Sequence, residues 1–351
     1  MRVIVGSRTT RERYASGSGL SVYEVDPSWS QWALRQTLDL VNPSFLVVHP
    51  SSPCLYTVHG DHFEVSRLSF DKTAHLSLSQ QIPTCGRNPV HLAFSEQAEQ
   101  MLVANYATGS MSALPVAGDG QLSERVCRLQ FAGTPGPLLS EQTGSHPHQV
   151  LPWPGTPWVL VPDKGLDRVH VVHHDGNGQL RLHDALHTHP GAGPRHAAMD
   201  VASGRFWLCN ELDATLSSGR FDTVLGKLTI DHTVSLASPR APKATARAAG
   251  VAYAGGWLYV TVRGHETVVA LQVNPDTGVA TPRQWQSTLG TTPRFLTLTP
   301  DGHVLLVTNE TSHTIVRYAI GAEGLLGDGQ VVAGTGSPVC IAFASPITVT
   351  A

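Results

Sequence analysis

The chain has 351 residues, with 24 Lys and Arg against 27 Asp and Glu, a formal charge of −3 when histidine is neutral. That near balance gives no basis for nucleic-acid binding, and 15% charged beside 41% hydrophobic residues excludes a disordered chain or a coiled coil. With 33 Gly and 24 Pro the sequence is rich in turns, and it is long enough to bury most of its unfolded surface without covalent staples.

In chain order, the opening Met1-Arg2-Val3-Ile4-Val5-Gly6 is too short an apolar run for a secretory leader. No later stretch approaches the ~20 apolar residues of a membrane span. The cysteines, Cys54, Cys85, Cys127, Cys209 and Cys340, are odd in number and include no CxxC pair. Neither a disulfide framework nor a zinc knuckle is expected, and a reducing, cytoplasmic setting is.

From Asn42 a phrase begins that then recurs: a turn carrying Pro, a short alternating strand, a polar or Gly turn, and a hydrophobic strand. It reads NPSFLVVHPSSPCLYTV at Asn42, NPVHLAFSEQAEQMLVANY at Asn88, HPHQVLPWPGTPWVLVPDKG at His146 and GPRHAAMDVASGRFWLCNEL at Gly193. TARAAGVAYAGGWLYVTVR at Thr245 aligns without a gap on TPRFLTLTPDGHVLLVTNE at Thr292, and a seventh start, SPVCIAFASPITVTA, follows at Ser337. The anchors Pro43, Pro89, Pro147, Pro194, Ala246, Pro293 and Pro338 lie 45 to 58 residues apart. The longest interval holds Phe131-Ala-Gly-Thr-Pro-Gly-Pro, which reads as a loop insertion.

About four β-rich runs per unit suit a propeller blade. The seventh unit supplies only its first strands, and Arg2–Gly6 with Gly19–Val25 resemble the missing ones. The expectation is therefore all-β: a seven-bladed β-propeller of four-stranded antiparallel blades, one domain over 1–351. The ring closes by pairing N- and C-terminal strands, which removes exposed edges.

In such a blade the start of the innermost strand, A, and the end of its antiparallel neighbour, B, lie at the same mouth of the central channel. The residue after each anchor gives Ser44, Val90, His148, Arg195, Arg247, Arg294 and Val339. The end of strand B gives Tyr106, Lys164, Glu211, Arg263 and Glu310. Five cations, two carboxylates and a histidine would face one opening, and guanidinium forks suit a carboxylate or phosphate. An anionic small ligand is inferred. Arg247 and Arg294 read first as scaffold, pairing with backbone carbonyls or Glu310. Asn105 with Tyr106 either lines the pocket or shapes a turn, Cys209 reads as core, and His183, His187 and His189 carry no assigned role. No acidic cluster accompanies His146 and His148, so no metal and no cofactor is expected.

Together VGSRTTRERYASGSGLSVYEVD, ANYATGSMSAL, HPHQV, PDKGLDRVHVV, GAGPRHAAMD, CNELDATL and TPRFLTLTPDGHVLLVTNE resemble the seven-bladed lactonase propellers, which include 6-phosphogluconolactonases and carboxy-muconate cyclases. The resemblance implies an active site of His148, Arg195, Glu211 and Arg263, with Tyr106, Asn105, Lys164, His196, Arg294 and Glu310 contacting substrate. The chain departs from the pattern at Val58-His59-Gly60, where the family shows an Asn-Glu pair, at Ala246-Arg247 and at Lys164. What is implied is hydrolysis of a small anionic sugar-acid lactone, with His148 and Glu211 dividing the proton transfers and Arg195 and Arg263 clamping the anion. A cycloisomerase acting on a carboxy-muconate is the alternative, and a non-catalytic scaffold a third reading. No membrane partner is expected, and the oligomeric state is left open.

Overall fold

A computed structural model describes residues 1–73, 75–175, 178–239 and 245–344. The end of the seventh phrase, beyond residue 344, lies outside the described residues. The strands form seven four-stranded antiparallel sheets, the blades of a seven-bladed propeller. Outside the strands, a short helical turn occupies Arg11–Arg13.

Blades 1 to 6 follow the repeat, with strand A at Pro43–Val48, Pro89–Ser95, Leu151–Pro152, Pro194–Asp200, Arg247–Ala254 and Pro293–Leu298. Their B strands are Cys54–His59, Gln100–Asn105, Trp158–Asp163, Arg205–Asn210, Trp257–Arg263 and Val304–Asn309. Blade 7 is composite: strand A is Pro338–Ala344, and Arg2–Ser7, Leu20–Val25 and Trp32–Leu38 complete it. Val5 pairs with Ile341 on one side and Ser21 on the other, so the termini close the ring as expected.

Strand B is buried along its whole length in blades 1, 2, 3, 4 and 6. Sheets covered on both faces carry continuous rather than alternating apolar runs. The outermost strand Trp32–Leu38 is instead mostly exposed. The core is divided accordingly: seven hydrophobic clusters occupy the seven blade-to-blade interfaces. Ile4, Leu20 and Ala342 of blade 7, for example, meet Leu46, Leu55 and Leu68 of blade 1.

The repeated Pro marks a local device. In five blades the pairing slips immediately beside the anchor, as between Pro194↔Asn210 and His196↔Cys209. The skipped residues are Ser44, Val90, Arg195, Arg294 and Val339. A bulge bends its strand and re-aims the extra side chain, here toward the channel. The residue before the anchor is left-handed at Asn42, Asn88, Gly193, Thr292 and Ser337, a conformation that favours Asn and Gly.

Candidate active site

The bulged residues and the ends of strand B meet in a cup of about 310 Å³, lined by Val90, Tyr106, His148, Lys164, Glu211, Arg263 and Arg294, with Arg8, Arg13, Asn88 and Glu141. Below it, one residue further along the A strands, Phe45, His91, His196 and Phe295 close the channel. Phe45 lies 4.0 Å from His91 and 6.0 Å from Phe295 between ring centroids, and His91 lies 5.6 Å from His196. A space of about 20 Å³ lies between Phe45, His196 and Phe295 and the residues above them, Arg8, Arg195 and Arg294 among them, room for about one water. The cup thus has an aromatic floor.

Glu211 is placed by backbone. Its N–H donates to Gly193 O at 2.7 Å. Gly193 is left-handed, and a Cβ there would stand 2.4 Å from Leu212 Cγ, so glycine is needed on both counts. The Glu211 carboxylate serves three cations. Oε1 accepts from Lys164 Nζ at 2.9 Å and lies 3.2 Å from Arg263 Nη2, while Oε2 lies 2.9 Å from Arg195 Nε. Neither guanidinium N–H is aligned on it, so Arg195 Nε, Arg263 Nε and Arg263 Nη2 remain buried donors without a hydrogen-bond acceptor. Burial alone would raise the carboxyl, but Arg263, Lys164 and Arg195 hold it well below the usual carboxylate range. It is ionised, and a feeble proton donor or acceptor.

His148 shows the opposite effect. Burial, and then the field of Arg195, depress its imidazole well below 6.5, so it is neutral at physiological pH, and its Nδ1 is buried without a partner. Its ring packs edge-on to Tyr106 at 5.7 Å and to His196 at 5.1 Å. The segment before it is pinned by fully buried Asp163, which accepts from Ser145 Oγ at 2.6 Å, His146 N at 2.7 Å and Gly165 N at 3.0 Å. Asp163 thereby fixes both His148 and Lys164. Burial also pushes the Arg195 guanidinium down to about 9, still protonated at neutral pH, with Nη1 donating to Ala249 O at 2.6 Å.

Of the ten expected site residues, His148, Glu211, Arg263, Lys164, Tyr106 and Arg294 line the cup, and Arg195 reaches it through Glu211. Glu310 stands beside it, 3.5 Å from Arg294 Nη1. Two do not contact the cup. Asn105 is fully buried, its amide held between Thr84 Oγ1 at 2.9 Å and Ser112 Oγ at 2.9 Å, so it shapes the blade rather than binding substrate. His196 lies in the aromatic floor because it follows the bulge instead of occupying it.

Arg247 is also displaced from its column. In blade 5 the slip falls between Ala248 and Val251, so Arg247 pairs with Arg263 where other blades have their anchor Pro. The ungapped alignment is one residue out at this strand start. Cys209 is core as expected, its thiol pushed up to about 12 by burial. All five cysteines are free.

Arg8, Arg13 and Glu141 were not anticipated. Arg8 follows strand B of the composite blade, so extending the second column across the N-terminus would have reached it. Glu141 arrives on the loop insertion and accepts from Lys164 Nζ at 2.8 Å. Its neighbour Gln142 anchors that loop on Asp167 Oδ1 at 2.8 Å. Among the described residues no group of three or more His, Cys, Asp and Glu is disposed to hold a metal, and no helix is long and apolar enough to cross a membrane.

The family model for lactonases with a 7-bladed β-propeller matches residues 2–343. A 6-phosphogluconolactonase of Formosa agariphila is 26% identical over 328 residues, covering 90% of this chain and 91% of that protein. The 6-phosphogluconolactonase of Bacillus subtilis is 25% identical over 338 residues, covering 94% and 96%. The solved structure of the periplasmic gluconolactonase of Pseudomonas aeruginosa superposes with a TM-score of 0.85 at 25% identity, covering 98% of this chain and 99% of that one.

Proposed function

Since the chain belongs to the seven-bladed β-propeller lactonase family, we propose that it hydrolyses a small anionic sugar-acid lactone of the 6-phosphogluconolactone kind in the charged cup at its channel mouth. The observation that carries this reading is the pairing of a neutral imidazole, His148, with buried guanidinium donors that lack acceptors.

His148 takes a proton from water as the water oxygen attacks the lactone carbonyl. Negative charge develops on the carbonyl oxygen, where Arg263 donates and Arg195 adds its charge from behind Glu211; fixed donors in a water-poor site are the strongest single aid to such a step. The ring C–O bond then breaks, and the imidazolium returns its proton to the departing alkoxide. Proton transfers of this kind contribute about 10²–10⁴-fold. Glu211, held ionised, orients Lys164, Arg195 and Arg263 instead of exchanging protons. The scheme calls for no cofactor, and the exposed Cys85 thiol fits a reducing compartment. The relatives above bear names of lactonases, which gives the cycloisomerase alternative no support. Charge gathered in one cup, rather than spread over a face, favours an enzyme over a scaffold.

The test is hydrolysis of 6-phosphogluconolactone by the purified protein, with 3-carboxymuconate as the competing substrate. Saturable lactone opening well above the spontaneous rate is expected, with the muconate absorbance unchanged. Glu211→Gln should lower kcat by about a hundredfold or more, because the guanidinium donors lose the charge that positions them, and also lower the melting temperature, because three buried cations lose their shared carboxylate. Absence of any lactone acceleration, or near-normal turnover of the variant, overturns the scheme.

A further inference from the structure

We propose that Arg8, admitted by Gly60, forms with Arg294 a second anion subsite facing Glu211 across the cup, and that this subsite selects lactones bearing a remote phosphate or carboxylate. The proposal rests on the lactonase reading for the reaction but not for the binding of the anion.

The residue following strand B is a side chain directed at the cup in blades 2, 3 and 4, namely Tyr106, Lys164 and Glu211. In blade 1 it is Gly60. Gly60 is not left-handed, so its backbone does not demand glycine. Its space does: a Cβ there would stand 2.1 Å from Arg8 Nη1 and 2.9 Å from Arg8 Cζ. The guanidinium of Arg8 occupies the place that a blade 1 side chain would fill.

Arg8 is held there firmly. It is 3% exposed, its N–H donates to Ser337 O at 3.0 Å and its carbonyl accepts from Gly17 N at 3.1 Å. The next residue is tied to Asn42, with Thr9 N donating to Oδ1 at 2.8 Å.

The charges divide evenly between two sides. Lys164, Arg195 and Arg263 face Glu211 and Glu141. Arg8, Arg13 and Arg294 face Asp61 and Glu310. Each side sets three cations against two carboxylates. On the Arg8 side the contacts are loose, 3.3 Å from Arg8 Nη1 to Asp61 and 3.5 Å from Arg294 Nη1 to Glu310, and Asp61 is also engaged by Arg13 Nε at 2.8 Å. Burial and the neighbouring Arg294 push the Arg8 guanidinium down to about 10, the mark of a buried cation short of negative charge. An arriving anion supplies that charge bidentately. The side near Glu211 serves the carbonyl oxygen, and the side near Arg8 the substituent.

The test compares kcat/KM for 6-phosphogluconolactone, a glucarolactone and uncharged gluconolactone in wild type, Arg8→Met, Arg8→Lys and Gly60→Ala. In Arg8→Met the preference for charged over uncharged lactone should fall roughly 30-fold, as expected for loss of charge-assisted hydrogen bonds, and Arg8→Lys should restore part of it. Gly60→Ala, which displaces the guanidinium without a backbone clash, should reduce the preference about tenfold. The charged lactone that loses more to Arg8→Met identifies the anion as phosphate or carboxylate. An unchanged preference, or an equal fall for all three lactones, overturns the subsite. If wild type opens none of the lactones, the lactonase reading fails on its own, and calorimetry with inorganic phosphate decides the subsite. Binding abolished by Arg8→Met supports it, and equal binding by both proteins removes it.

Discussion

Glu211 and His148 sit in one cup, and two shared cations, Arg195 and Lys164, push them toward opposite ends of their chemistry. Arg263, Lys164 and Arg195 stabilise the Glu211 carboxylate, while burial, and then Arg195, Arg294 and Lys164, destabilise the His148 imidazolium, so one residue becomes a fixed charge and the other a free base. A pH dependence follows. The neutral form of His148 persists below 6.5, so the acid limb of kcat/KM, which reports the free enzyme, should fall below that value. Arg294→Met removes one of the cations that depress His148, so the limb should move upward. Rates measured from about pH 5 to 8 check this; a limb at 6.5 or above in wild type would count against His148 as the base. Residue types at these positions were legible in two aligned columns. Their protonation states were not, because those depend on which charges become neighbours across four blades.

At the scale of the element, the bulge beside each anchor determines which side chain enters the channel. The sequence signals it through Pro after a left-handed residue, Asn or Gly in three blades and Thr or Ser in two, and where blade 5 has Ala246 the slip occurs further along and Arg247 is lost from the cup. A second recurrent device lies between blades. Tyr56 Oη donates to Gly120 O at 2.6 Å, Tyr259 Oη to Gly324 O at 2.8 Å and Trp207 Nε1 to Gly278 O at 2.9 Å, each from strand B to a turn of the next blade. On outer strands Gln36, Gln80 and Gln284 each exchange two hydrogen bonds with the neighbouring blade at Leu76, Leu122 and Leu326. Tyr259→Phe leaves the Gly324 carbonyl unpaired and should cost about 1–3 kcal/mol. Urea unfolding should show the loss while kcat stays unchanged, since the tie is remote from the cup. These ties were not legible beforehand, because a lone Tyr or Gln gives no sign of what it will face.

On the scale of the whole molecule, the termini carry both closure and chemistry. The N-terminal strand lies second in the seventh sheet, laddered on both sides, and the residue after it is Arg8. Val5→Pro removes a backbone donor from the middle of that sheet. It should cost about 2 kcal/mol or more and raise aggregation, because it frees a strand edge. Thermal unfolding with light scattering tests this, and an unchanged midpoint would mean that closure contributes little. The same variant should weaken binding of charged lactones through Arg8, coupling ring closure to the site.

The amino-acid sequence by itself determined the number of blades, the shared seventh blade and most of the polar residues around the channel mouth. These follow from periodicity, turn chemistry and strand direction, which are local properties repeated along the chain. Only the tertiary structure decided that Asn105 and His196 turn away from the cup, that Arg247 slips out of register, and that Arg8 fills the space left by Gly60. Each of those outcomes depends on what a neighbouring strand or blade presents, from groups distant along the chain, such as Arg8 for Gly60 and Phe45 for His196.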